Sequence, residues 1–138
     1  MRDSMVLKII LSVSGLVAIG VGLGILFFPV AFYATNEIAL AGQISLLSEV
    51  RGSGGAILGV GLLVFAGAFI ARLRFSAVLI STVLYLSYGA SRILSAILDG
   101  VPAEGLVFVT ALEIVFGGLC LFALLIYRDD RADGFASE

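Results

Sequence analysis

The stretch VLKIILSVSGLVAIGVGLGILFFPVAFY, residues 6–33, decides the class of this protein. It carries a single charge, Lys8, near its start and is otherwise dominated by leucine, valine, isoleucine, glycine and phenylalanine. A helix of about 20 mostly apolar residues crosses a hydrocarbon layer of ~30 Å, so this run is long enough to span. Its basic flank, Arg2 and Lys8, resembles the start of a secretory signal. The apolar run is longer than a signal core of about 7–15 residues, and no small-residue cleavage site follows, since Phe32 stands in the wrong place before Ala34. The stretch reads as a retained first span.

Working outward, three further apolar runs follow at about 52–71, 75–98 and 101–127. With short connections they nearly fill the chain. The expected fold is an all-α membrane protein, a four-transmembrane-helix bundle forming one domain over 1–127, with a polar tail at 128–138. Composition agrees: of 138 residues 61% are hydrophobic and only 13% charged, and the mean hydropathy is +1.20. Soluble domains are about half apolar and a quarter charged. Residues 34–50 break the pattern. Thr35, Asn36 and Glu37 can open a short helix in which Ile38, Ala41, Ile44 and Leu47 recur every three residues. Two readings stand, a short amphipathic helix on the membrane surface or an ordered loop packed over the bundle end.

Basic residues orient the spans. Arg2, Lys8, Arg72, Arg74, Arg128 and Arg131 flank one side, six of the eight in the chain. Arg51 at a helix start and Arg92 within a span belong with Glu37, Glu49, Asp99 and Glu104 on the other. Both termini are therefore expected on the cytoplasmic side.

Several functions are excluded by what the chain lacks. A net charge of -2 without a basic tract argues against nucleic-acid binding. The one cysteine, Cys120, cannot form an internal disulfide or a CxxC redox pair. With no histidine, ordinary haem ligation, histidine-based metal sites and histidine acid–base chemistry are unavailable. No cofactor and no metal are expected; the expected partners are the lipid bilayer and a homo-oligomer or a larger membrane complex.

Most of the seventeen glycines fall inside the spans, where small residues let helix backbones approach closely. Gly20 and Gly24 form one GxxxG spacing, Gly55 and Gly59 another. These four, with Gly117, are the expected packing glycines, against neighbouring helices or across a homo-oligomer. Gly-Val-Gly-Leu occurs at 20–23 and again at 59–62. That match fits shared packing needs better than an inverted transporter-type repeat.

The most informative pattern lies on the last two spans. Ser81, Tyr85, Tyr88, Arg92, Ser95 and Asp99 form one stripe at spacings of four and three; Leu106, Thr110, Glu113, Gly117 and Cys120 form another. In an antiparallel pair, residues at equal depth share a constant sum of residue numbers. Arg92 with Glu113, Ser95 with Thr110, Tyr88 with Gly117 and Tyr85 with Cys120 all share one sum. Glu113 lies about 15 Å along its helix from the outer turn at ~1.5 Å per residue, where a lone carboxylate is costly. Arg92 is its expected partner. Arg51 and Glu49 are expected nearer the same outer end, with a polar cavity opening towards the periplasm. Three readings of this seam stand: a structural ion pair, a pocket in which Arg92 and Arg51 hold an anionic or carbonyl-bearing ligand, and a proton-coupled transport site centred on Glu113.

Two segments, Glu49-Val-Arg-Gly-Ser-Gly-Gly-Ala-Ile-Leu-Gly-Val-Gly at 49–61 and Ser91-Arg-Ile-Leu-Ser-Ala-Ile-Leu-Asp-Gly-Val-Pro at 91–102, resemble the bacterial membrane-protein family known as domain of unknown function four-three-four-five. The resemblance implies a four-helix membrane bundle with no established activity. It places Glu49, Arg51, Arg92 and Asp99 in family-like segments, while Glu113 rests on register alone. The favoured function is a non-enzymatic binding or accessory protein holding a small anionic or lipid-like ligand. The alternatives are a small proton-coupled transporter using Glu113 and, ranked last, a membrane enzyme using Glu113 with Tyr88 or Arg92; no catalytic residue is assigned.

Overall fold

The computed structural model describes residues 4–135. Its elements are α1 (Met5–Phe27), α2 (Pro29–Ala34), α3 (Ile44–Phe69), a single 3-10 turn (Ala71–Leu73), α4 (Arg74–Asp99) and α5 (Glu104–Phe135). Four helices are long and apolar enough to cross a membrane: Met5–Phe27, Ile44–Phe69, Ala71–Asp99 with its leading turn, and Glu104–Ile126. Large apolar side chains stand exposed on every one of them, including Ile9, Leu62, Val83 and Phe108, as a lipid-facing surface requires.

The first helix stops where the sequence forces it to. Pro29 has no N–H to donate into α1, and Phe28, at φ -127° and ψ 49°, turns the chain away. The chain restarts as the six-residue α2, whose Phe32 ring folds back over Gly24. A separate surface helix over 34–50 does not form. Residues 35–43 make a loop over the bundle end, with Gly42 at φ +79° and Glu37 at φ +63°, and its Leu40 is buried. Residues from Ile44 to Val50 are instead the first turns of α3. At the far end α5 runs on to Phe135, past the boundary expected at 127; between 127 and 133 the chain holds no proline or glycine to stop it. Residues 136–138 of the expected tail lie outside the described residues.

The bundle is two tight hairpins joined more loosely. α1 packs chiefly on α3 and α4 on α5, while α1 meets α4 and α5 only sparingly. The α1–α3 seam is made by glycines. A Cβ on Gly15 would lie 2.7 Å from the Phe65 backbone nitrogen, and one on Gly22 would lie 2.6 Å from that of Leu58. From the other side, Gly54 faces Ile25 and Leu26, and Gly61 faces Ala18 and Ile19, equally closely. The packing glycines thus recur at seven-residue spacing, the signature of nearly aligned helices in left-handed packing. Of the four glycines in GxxxG spacing, Gly20, Gly55 and Gly59 have nothing within 4 Å and Gly24 serves Phe32, while Gly117 receives Leu86.

Two buried clusters divide the interior. Leu7, Leu11, Val64, Ala68, Ala77, Val78 and Ala123 close the end where α1 begins. Ala18, Ile25, Leu40, Val50 and Ile57 line the α1–α3 hairpin towards the opposite end.

Candidate functional site

α4 and α5 approach most closely where Gly89 faces Ile114 and Gly117 faces Leu86. The polar stripe of α4 runs beside this contact line, and its Tyr85, Tyr88 and Arg92 line the space between the two hairpins. Arg92 Nε donates to both carboxylate oxygens of Glu113, at 3.2 and 3.0 Å. The Glu113 side chain is 11% exposed and that of Arg92 32%, so the acid is held inside and the guanidinium reaches past it. Among the described residues the two Nη groups of Arg92 make no hydrogen bond.

These residues line a cavity of about 270 Å³ that reaches from mid-bundle to the end covered by α2 and the 35–43 loop. Val17, Val21, Ile25, Ile57, Leu84 and Phe116 supply most of its apolar wall. Arg92 and Glu113 are its only charged residues, and Tyr33, Asn36, Ser53, Tyr85 and Tyr88 add polar atoms. Asn36 is seated by Gly105, where a Cβ would come within 2.5 Å of its Oδ1. Towards the bundle's other end the cavity is floored by a buried polar node. Tyr85 Oη donates to the Ser14 carbonyl at 2.5 Å, its ring tilts against Phe116, and Ser81 Oγ and Cys120 Sγ lie 3.3 Å apart. Beyond that node the apolar cluster around Leu11 and Val78 fills the bundle.

The other residues of the expected seam sit elsewhere. Ser95 donates to Asp99 on the exposed end of α4, and Thr110 donates to the Leu106 carbonyl one turn back. Thus Ser95 and Thr110 do not meet, and Leu86 rather than Tyr88 covers Gly117. Glu49 is exposed and does not line the cavity. Arg51 is also outside it. Its Nη1 donates to the Leu26 carbonyl, an acceptor at the broken end of α1. Three turns of α3 therefore act together: Arg51 caps α1, and Gly54 and Gly61 let α1 come close.

The profile of a family described as a domain of unknown function (DUF4345) matches residues 6–124. The chain belongs to that DUF4345 family. The matched region takes in all four spans, the cavity and the Arg92–Glu113 pair. No curated protein and no solved structure matches the chain. In this DUF4345 chain the Glu-x-Arg-Gly opening of α3 has a structural explanation, the Arg51 cap, rather than a place in the cavity. Tyr33, Asn36 and Ser53 were not among the expected cavity residues. The first two arrive from the α2 turn and loop, and the only signal for their folding inward is Pro29. No group of three or more His, Cys, Asp or Glu lies together among the described residues.

Proposed function

We propose that this protein is a non-enzymatic membrane binding protein that holds one small, mostly apolar molecule in the cavity between its two hairpins. The observation that carries this reading is the cavity itself: about 270 Å³ of space walled mostly by apolar side chains, with a few polar atoms from Tyr33, Asn36, Ser53, Tyr85 and Tyr88 and a charged corner at Arg92 and Glu113. Such a combination of apolar wall and few convergent polar groups is what small-molecule sites share. A void of this size left empty would forfeit the dispersion contacts of its lining. The polar node and apolar cluster beyond Tyr85 close the opposite end, which favours holding a molecule over conducting one. By the distribution of Lys8, Arg72 and Arg74, we place the cavity end towards the periplasm in a bacterial inner membrane.

Native mass spectrometry of the full chain, released from nanodiscs made with host-membrane lipid, tests this reading. Wild-type protein is expected to carry a bound small molecule, and Val21→Phe, which fills the cavity wall, is expected to lose it. Wild-type protein that carries nothing, or a molecule retained equally by the filled variant, would sink the proposal.

A further inference from the structure

Resting on the binding reading above, the nature of the ligand's polar end follows from how Arg92 is held. With Arg51 committed to the Leu26 carbonyl, Arg92 is the only cation of the cavity. Glu113 already neutralises it, through Nε alone. A guanidinium carries five N–H donors, so four remain on the two Nη groups, without a protein acceptor among the described residues. The corner therefore offers hydrogen-bond donors but no net charge.

Three kinds of head group can be compared. A carboxylate or phosphate would become a second anion beside a guanidinium that already has one, leaving an uncompensated negative charge in a low-dielectric interior. A cation would face Arg92 with Glu113 already occupied. An uncharged acceptor takes the free Nη donors and adds no charge. Size narrows the class further. A cavity of about 270 Å³ takes a small molecule.

We propose that the cavity selects a small, uncharged, carbonyl-bearing apolar molecule, with its oxygen on the Arg92 Nη groups. Glu113 is the positioning residue that makes the site reject anions.

Three probes matched in size separate the cases: 2-nonanone, octanoate and decane. Each is titrated at pH 8 into the full chain in phosphatidylcholine nanodiscs, with partition into empty nanodiscs subtracted. Tyrosine fluorescence reports binding, because the chain has no tryptophan and Tyr33, Tyr85 and Tyr88, three of its four tyrosines, line the cavity. 2-Nonanone is expected to bind at least tenfold more tightly than octanoate and more tightly than decane. In Glu113→Gln the order of ketone and carboxylate is expected to reverse, as Arg92 regains its charge. Octanoate binding wild type as well as the ketone overturns the inference, as does decane matching the ketone or an unchanged order in the variant. If none of the three binds wild type, the binding reading itself fails. The wild-type ranking decides the matter even where the variant does not fold.

Discussion

Gly20 and Gly22 lie two residues apart on α1, and exchanging each for alanine is expected to have opposite effects. At Gly22 the new Cβ would sit 2.6 Å from the Leu58 nitrogen and 2.8 Å from its Cα, both backbone atoms that cannot rotate away. Restoring a contact of ~3.5–4.0 Å moves α1 from α3 by about 1 Å, and a gap of that size forfeits a quarter to a half of each contact's attraction. Over the glycine seam, overpacking of this kind costs about 1–3 kcal/mol. At Gly20 the Cβ meets nothing within 4 Å, so only the backbone effect remains, a gain of about 0.5–1 kcal/mol from replacing a mid-helix glycine. Cys120 provides the assay. It is fully buried, so a maleimide dye that fluoresces on reacting with thiols reports unfolding as a detergent-solubilised sample is warmed. Gly22→Ala is expected to lower the midpoint by about 5 °C or more, and Gly20→Ala to leave it equal or higher. Equal midpoints for the two variants, or a fall only in Gly20→Ala, would refute the seven-residue seam and restore the GxxxG one.

The same thiol assay tests three further expectations, and labelling tests a fourth. Arg92→Leu strands the Glu113 carboxylate and should cost about 2–4 kcal/mol, while Arg92→Leu with Glu113→Leu should recover most of it; a double variant worse than the single would count against this. Arg51→Leu leaves the Leu26 carbonyl without its donor and should cost about 1–3 kcal/mol without altering probe selectivity, whereas a selectivity change would bring Arg51 back into the site. Tyr85→Phe removes the bond to the Ser14 carbonyl and should cost about 1 kcal/mol; no change in midpoint would mean the polar node holds nothing together. In a Cys120→Ser background, a membrane-impermeant maleimide added to intact cells should label Glu104→Cys and not Arg72→Cys. The reverse pattern would invert the orientation.

Much of this was legible in the sequence because it follows from length and period. A run of apolar residues as long as 6–33 has little choice but to span, and three more fix the bundle. Arg92 with Glu113 was also readable, because equal depth in a short antiparallel hairpin follows from counting alone. Counting gives depth and not direction. It could not say that Leu86 and Ile114 carry the α4–α5 contact, leaving Tyr88 and Arg92 to face a cavity. The glycines divide for a related reason: within the chain the close α1–α3 approaches fall at Gly15, Gly22, Gly54 and Gly61, while Gly20, Gly55 and Gly59 meet nothing within 4 Å. Arg51 could not be placed either, since its acceptor, the Leu26 carbonyl twenty-five residues earlier, is open only because Pro29 ends α1 there.

That bond has a bearing on how the protein is made. When α1 enters the bilayer its last turn has an acceptor, the Leu26 carbonyl, whose donor has yet to be synthesised. Only when Arg51 emerges, followed by Gly54 and Gly61, can the first half of the chain close on itself. The second half carries its own clasp, Arg92 to Glu113. Translation thus delivers two hairpins in succession, and they meet through the apolar cluster around Leu11 and Val78, the Tyr85–Ser14 bond and the cavity lining.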